Sequence, residues 1–346
     1  MLLTFSSPHL KNRLTTQHVM GIVILMTVPG LIAQTYLFGW GNLINVLWCS
    51  IVAMTTEALV LKARGESVKP YLSDLSALLT GVLLGLALPP FAPWWLSLVA
   101  TSFAIVFSKQ LYGGMGYNPF NPAMIGYALV LVSFPVAMTT NWAIPTESVS
   151  QSFSLLETFS VIFGGTNSLD GYTGATPLDV YKQQTAYLDA NSDANIVELG
   201  GPSSNAWMMI NLAFLIGGLG LIRLKIIQWQ TPLGVLLGIA MPALFVGLHS
   251  GSLTPLSVHM SSGASMLGAF FIATDPVTSS TTKLGRFIFG LGVGLLTFII
   301  RAYGSYPDAI AFAVLLMNFA APLIDAYTQP RAYGYLKAKR GPKASE

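Results

Sequence analysis

The stretch VMGIVILMTVPGLIAQTYLF, residues 19–38, holds no charged side chain over 20 positions. A helix rises about 1.5 Å per residue, so a run of this length covers the roughly 30 Å of a bilayer's hydrocarbon core. Lys11 and Arg13 precede it, as basic residues precede a secretory leader, but the run is longer than a leader's apolar core and no small-residue cleavage site follows. It reads as a first membrane span. The runs that follow have the same character, continuous rather than alternating in hydropathy, which selects helices over a closed barrel.

Composition says the same of the whole chain. Only 9% of its residues are charged and 53% are hydrophobic, with a mean hydropathy of +0.62. A water-soluble domain carries about 25% charged residues, so most of this chain must face lipid or other membrane helices. The net charge of +3 is spread over connections rather than gathered in a patch, which excludes a nucleic-acid partner. Cys49 is the sole cysteine, which excludes an intrachain disulfide and a cysteine-ligated iron–sulfur cluster.

Ten apolar segments can be drawn, near 19–38, 42–61, 75–89, 94–108, 122–138, 206–222, 231–248, 257–274, 285–301 and 308–325. The third ends at Pro89-Pro90 and the eighth at Thr274-Asp275-Pro276, so both are interrupted. With the N-terminus inside, 15 of the 17 basic residues fall on the cytoplasmic side, leaving Lys182 and Arg301 outside. That asymmetry is the positive-inside rule. It places both termini in the cytoplasm, with a basic tail at 331–346, and makes the long connection 139–205 extracytoplasmic. That connection carries half of the chain's 14 acids and is rich in turn-forming residues. Five spans precede it (1–138) and five follow (206–330).

The halves also repeat a pattern. Leu83 to Pro90, Phe103 to Lys109, Tyr112-Gly113 and Pro119 to Leu131 correspond to Phe271 to Pro276, Leu296 to Arg301, Tyr303-Gly304 and Pro307 to Leu316. Five spans is an odd number, so the halves would have opposite orientation. The expected fold is therefore all-α and polytopic, about ten transmembrane helices in two inverted five-helix repeats.

The middle of the long connection reads LDGYTGATPL, residues 169–178. Asp170, Thr173, Gly174, Ala175 and Thr176 fit the pattern D-x-x-[ST]-G-A-T. Thr176 offers a hydroxyl nucleophile, with Thr173 as a competing one. Gly174 and Ala175 leave the backbone without bulk, so that a modifying enzyme could grip it. Asp170 adds an acidic handle, and Tyr172 an aromatic ring suited to stacking. The bland alternative is an ordinary Ser/Thr turn.

The pattern resembles the site at which a flavin transferase attaches FMN through its phosphate. Leu79-Thr80-Gly81 to Leu88-Pro89-Pro90, Lys109 through Tyr112-Gly113-Gly114 to Asn121-Pro122-Ala123, and Ala273-Thr274-Asp275-Pro276 extend the resemblance over most of the chain. Together they are similar to the family of the D subunit of the Rnf electron-transport complex and its relative, the B subunit of the sodium-translocating NADH:quinone oxidoreductase. The short N-terminus favours the former. The resemblance implies a subunit of a translocase rather than a stand-alone enzyme, with FMN held by a phosphoester to Thr176 and a non-covalent flavin such as riboflavin elsewhere. It also implies partner membrane, flavin and iron–sulfur subunits, an FMN transferase for maturation, a bacterial inner membrane, and sodium or proton movement linked to ferredoxin and NAD(H). A channel or solute transporter with inverted repeats is the competing class, and a cofactor-free scaffold bundle a third.

Other residues invite a function. Glu57 lies within the second span, and Asp325 closes the tenth. Asp74 and Asp275 hold matching positions beside the interrupted spans, where they would flank a cation path, or else lie solvated or paired with Lys69 and Lys283. Asn118-Pro119 and Asn121-Pro122 read as a non-helical start to the fifth span. His249 and His259 read as interfacial rather than as haem ligands, and Gly290, Gly292 and Gly294 as helix-packing residues rather than a dinucleotide loop.

Overall fold

Six helices carry the frame: α1 (Thr16–Phe38), α2 (Gly41–Ala63), α10 (Pro202–Arg223), α11 (Gln230–Ser250), α14 (Lys283–Tyr303) and α15 (Ile310–Thr328). The computed structural model describes residues 15–146, 153–164, 169, 171–190, 202–250, 254–304, 306 and 308–330. Among them, these six are the helices long and apolar enough to cross a membrane unaided. The other four expected segments are helical but divided. The third is α3 (Val68–Leu72) followed by α4 (Ser76–Ala87). The fourth is α5 (Trp94–Phe103) continued by a π-helical turn, Ala104–Lys109. The fifth is α6 (Pro122–Ser133) and α7 (Pro135–Thr140). The eighth is α12 (Thr254–Ser261), then α13 (Ser265–Leu267) with a π turn at Gly268–Ile272.

The helices are dressed for lipid. Leu25, Val28, Ile32 and Tyr36 on α1 are exposed along one face, as are Leu316, Phe319, Leu323 and Tyr327 on α15. The polar side chains point inward instead, with Gln34, Asn45, Glu57, Thr101, Asn121, Asn211, Arg301 and Asn318 all buried. An exterior of bare leucine around a polar interior is the arrangement of a membrane-embedded bundle. The protein is an all-α polytopic membrane protein. The glycine ridge behaves as expected: a Cβ on Gly294 would sit 2.2 Å from the Val235 carbonyl oxygen, so α11 and α14 approach at backbone distance.

The interruptions expose backbone groups that lipid cannot satisfy, and buried amides take them up. The Leu86 carbonyl would bond the residue four positions on, but that residue is Pro90, which has no N–H. Gln34 Nε2 donates to it at 3.3 Å, while Asn45 Nδ2 donates to the Pro89 oxygen at 2.8 Å. At the eighth segment Asn211 donates to the Ser261 and Gly263 oxygens at 2.8 and 3.0 Å and accepts from Met266 N at 3.0 Å. Asn121 caps α6 and donates to the Ile272 oxygen at 3.3 Å.

The two halves match at their ends. Lys109 and Arg301, paired in the repeat, are both buried. Lys109 Nζ donates to Ser76 Oγ at 2.6 Å, and Arg301 Nη1 donates to Ser265 Oγ at 3.0 Å. Each serine opens the inner piece of a divided segment and follows closely on a left-handed residue, Leu75 (φ 62°) or Gly263 (φ 64°). Each cation is also ion-paired, Lys109 to Glu57 at 2.5 Å and Arg301 to Asp308 at 3.2 Å.

The long connection is not turns alone. It holds α8 (Leu155–Gly164) and α9 (Pro177–Ala190), each opened by a reciprocal cap. Ser154 N donates to Glu157 Oε2 at 2.7 Å for α8, and Thr176 N donates to Asp179 Oδ2 at 3.1 Å for α9. Both Ser/Thr-x-x-acid patterns stand in the sequence, within a segment whose composition otherwise favours turns.

Candidate functional site

Two cavities open at opposite ends of the same helices. One is lined by Gln34, Leu86, Leu131, Trp207 and Phe214, from α1, α4, α6 and α10, together with Thr176, Asp179 and Asp308. The other takes Val19, Ser76, Asn121 and Leu221 near the other ends of those helices, with Lys109 and Asp275. Ile272 and Phe271, on the π turn after α13, stand between them, one lining each.

Thr176 sits at the first cavity, and the chain before it is tightly placed. Thr173 forms an antiparallel bridge with Ala143. Gly174 N donates to the Trp142 oxygen at 3.0 Å, and Ile144 N to the Tyr172 oxygen at 3.1 Å. A Cβ on Gly174 would lie 2.6 Å from Ile144 Cγ2, so the glycine is required by close approach. Thr176 Oγ1 donates to Asp179 Oδ2 at 2.6 Å. The exposed, pliant segment expected for a modified threonine is thus replaced by a half-buried helix cap, because the bridge and the cap satisfy its backbone. Ala175 is exposed beside it.

The cavity itself measures about 60 Å³. Its walls are apolar and aromatic, with Trp142, Trp207, Tyr127, Met124 and Met138, and its polar groups include Thr139, Thr176, Asp179 and Asp308. That is the pattern of a small-molecule site. Gln34 also lines it, and its Oε1 atom is buried without a hydrogen-bond partner among the described residues.

The structure distributes the expected site residues. Thr176 and Asp179 share the cavity, while Tyr172 turns away into a neighbouring recess with Phe38, Phe91 and Phe153. Its ring lies 4.2 Å from that of Phe153. Asp170 lies outside the described residues, as do Lys11, Arg13 and the tail 331–346.

At the other cavity Asp275 is a lining residue, held by Thr278 Oγ1 at 2.9 Å and Val277 N at 3.3 Å. Asp74 accepts from Ser76 N at 2.7 Å and Ser76 Oγ at 2.5 Å, and Ser76 passes the contact to Lys109. Among the described residues the ion pairs are Arg64–Glu66, Lys109–Glu57 and Arg301–Asp308, so neither aspartate pairs with Lys69 or Lys283. Asp325 accepts from Thr281 N and from Ser280 and Thr281 hydroxyls.

Sequence reasoning missed several groups. Lys109 was expected in a cytoplasmic connection; the π turn carries it inward to Glu57, whose position in an apolar run demanded a partner. His259 is buried against Tyr181 and Phe298, whereas His249 is exposed. Gln34, Trp142, Trp207 and Asp308 carried no local signal.

A family model spanning residues 3–334 matches the chain. The chain belongs to the NQR2, RnfD, RnfE family. Members of this family that resemble it include the D subunit of the ion-translocating oxidoreductase complex of Marinobacter nauticus, 52% identical over 97% of this chain and 96% of the relative. The protein of the same name from Alcanivorax borkumensis is 50% identical over 98% and 99%, and that from Salmonella paratyphi B 46% over 96% and 98%.

Proposed function

We propose that this chain is the D subunit of an ion-translocating oxidoreductase complex of the bacterial inner membrane, and that it passes electrons through FMN joined by a phosphoester to Thr176. The observation that carries the reading is the position of Thr176, the last residue of T-G-A-T, at the edge of an aromatic-walled cavity. When bound, the flavin supplies one- and two-electron redox chemistry. The chain's own residues do the rest. Trp142 and Trp207 wall the cavity and exclude water. Asp179 must release the Thr176 hydroxyl when the ester forms, since an ester oxygen has no proton to donate to it.

In this reading the face bearing Thr176 is periplasmic, and residues 139–205 meet partner flavin and iron–sulfur subunits there. Both termini are cytoplasmic, and an FMN transferase acts on the connection before it settles. The transported ion is sodium or a proton. Moving one charge against about 150 mV costs about 3.5 kcal/mol at roughly 2.3 kcal/mol per 100 mV. An electron falling through a similar potential supplies as much, so about one ion per electron is affordable. The second, non-covalent flavin implied by the resemblance, riboflavin, would take the opposite cavity, where Ser76, Lys109, Asn118 and Asn121 stand among apolar walls.

Paired cavities at opposite ends of one helix bundle also suit a solute transporter. One gel separates the readings. Protein co-expressed with the transferase should fluoresce under ultraviolet light after denaturing electrophoresis, and Thr176→Ala should abolish the band although Thr173 remains. A dark wild-type band refutes the flavin reading and leaves the transporter.

A further inference from the structure

Helix α8 divides its surface three ways. At about 100° per residue, Leu155, Phe159, Phe163 and Leu156 fall in one continuous sector. Ser160, Gly164 and Glu157 fall in the next, and Val161, Thr158 and Ile162 in the third. The third sector is buried, with Thr158 lining the recess beside Gly39 and Trp40. The second is exposed to water. The first is apolar yet open, since Leu155, Leu156 and Phe159 are 46, 78 and 49% exposed. Exposed apolar side chains gathered on one sector mark an interaction surface, and the polar sector beside it rules out burial inside the bundle.

The packing of α8 shows what meets that sector. Phe163 stacks on Phe159 with ring centres 4.4 Å apart and packs edge-on against Trp48 of α2 at 5.2 Å. Trp48 stands seven residues into α2, about 10 Å from that helix's first residue, Gly41, at 1.5 Å per residue. Beside it on α2, Leu47 and Ile51 are exposed and belong to the lipid-facing surface. The Trp48 indole donates to the Trp94 oxygen at 3.0 Å, and Trp40, Trp94 and Trp95 are exposed at this end of the bundle. Tryptophans gather where hydrocarbon meets headgroups. An interfacial helix sinks its apolar face roughly 5–10 Å into that boundary, so the depth, the aromatic level and the three sectors agree on one occupant.

We propose that α8 is an in-plane membrane anchor, its Leu155, Leu156, Phe159 and Phe163 sector seated among phospholipid acyl chains at the headgroup boundary. The seat continues the lipid-facing surface of α2, while Glu157 and Ser160 stay in water. It also bears on the T-G-A-T loop, because Phe153, just before α8, lies against Tyr172 with ring centres 4.2 Å apart. The connection that carries Thr176 is thereby fastened to the bilayer surface, whether or not that threonine bears a cofactor.

The test is photolabelling of the full chain, purified with the subunits that accompany it and reconstituted in phosphatidylethanolamine–phosphatidylglycerol vesicles. A phosphatidylcholine with a diazirine on its acyl chain is the probe, and mass spectrometry of the digested chain locates its adducts. Adducts on Leu156 and Phe159, as on Leu47 and Ile51, with none on Ser160, are the expected result. Adducts on Leu47 and Ile51 with none on α8 overturn the proposal, as does equal labelling of Phe159 and Ser160. Replacing Leu156, and separately Phe159, with benzoylphenylalanine gives a second reading in native membranes. A mass gain of one phospholipid after irradiation supports the anchor. A cross-link to another polypeptide assigns the sector to a partner protein instead and overturns it.

Discussion

Removing one member of the Lys109–Glu57 pair should damage the protein more than removing both. The two groups meet at 2.5 Å with side-chain exposures of 4% and 0%. At that separation the attraction is about 7 kcal/mol for an effective dielectric near 20. Desolvation costs several kcal/mol for each ion, so the pair as a whole contributes little net stability. Breaking it is different. Lys109→Met leaves Glu57 with only Gln110 Nε2, at 2.7 Å, to answer a buried carboxylate, and its other oxygen is already without a partner among the described residues. Glu57→Gln leaves an ammonium with neutral acceptors only, the new amide oxygen and Ser76 Oγ. Each single change should cost about 3–5 kcal/mol, on the order of 5–15 °C in apparent melting. The double variant should cost clearly less than the sum, with a coupling of about 2 kcal/mol or more. Graded heating of the detergent-solubilised protein, followed by size-exclusion chromatography, measures this. Additive losses in the double variant, or single variants that melt like wild type, would refute the argument that the pair is buried and mutually compensating.

Three further outcomes are expected. Gly174→Ala places a methyl 2.6 Å from Ile144 Cγ2 and should slow flavin attachment at Thr176 several-fold; adding Ile144→Ala should restore much of the rate, and a time course of in-gel fluorescence reads both. Asn211→Leu strips partners from the Ser261 and Gly263 oxygens and from Met266 N, at about 1–3 kcal/mol for each buried group left unmet, so it should lower apparent melting more than Asn118→Ala does. Asp275→Asn should reduce ion uptake by inverted vesicles roughly tenfold if a carboxylate at the cavity is part of the path, with Asp74→Asn weaker because it reaches the cavity only through Ser76; unaltered uptake in both removes them from it.

The helices were readable because apolar length is a local property. Each of the ten apolar runs is helical, and the third ends at Pro89-Pro90, where a backbone donor is lost. It is divided at residues 73–75, however, and the eighth at 262–264, beside the left-handed Leu75 and Gly263 rather than at the prolines. What could not be read was how a divided span is repaired. Gln34, Asn45 and Asn211 look like scattered polar residues in apolar runs, and only their arrival at orphaned carbonyls explains them. The Thr176 loop is visible as a motif, but its order is not, because the bridge from Thr173 to Ala143 joins residues 30 positions apart.

By itself the sequence determined that this chain is a helical membrane protein, and where its apolar runs lie. Hydropathy and spacing act over one helix length, and those conclusions need nothing longer. The tertiary structure decided that Lys109 turns inward to Glu57, that Tyr172 faces away from Thr176, and that Gln34, Leu86, Trp142, Trp207 and Asp308 enclose one space with it. A cavity is made of residues far apart in the chain, brought together because buried polar groups must find partners and apolar faces must find lipid or one another, and no local pattern records which of them will meet.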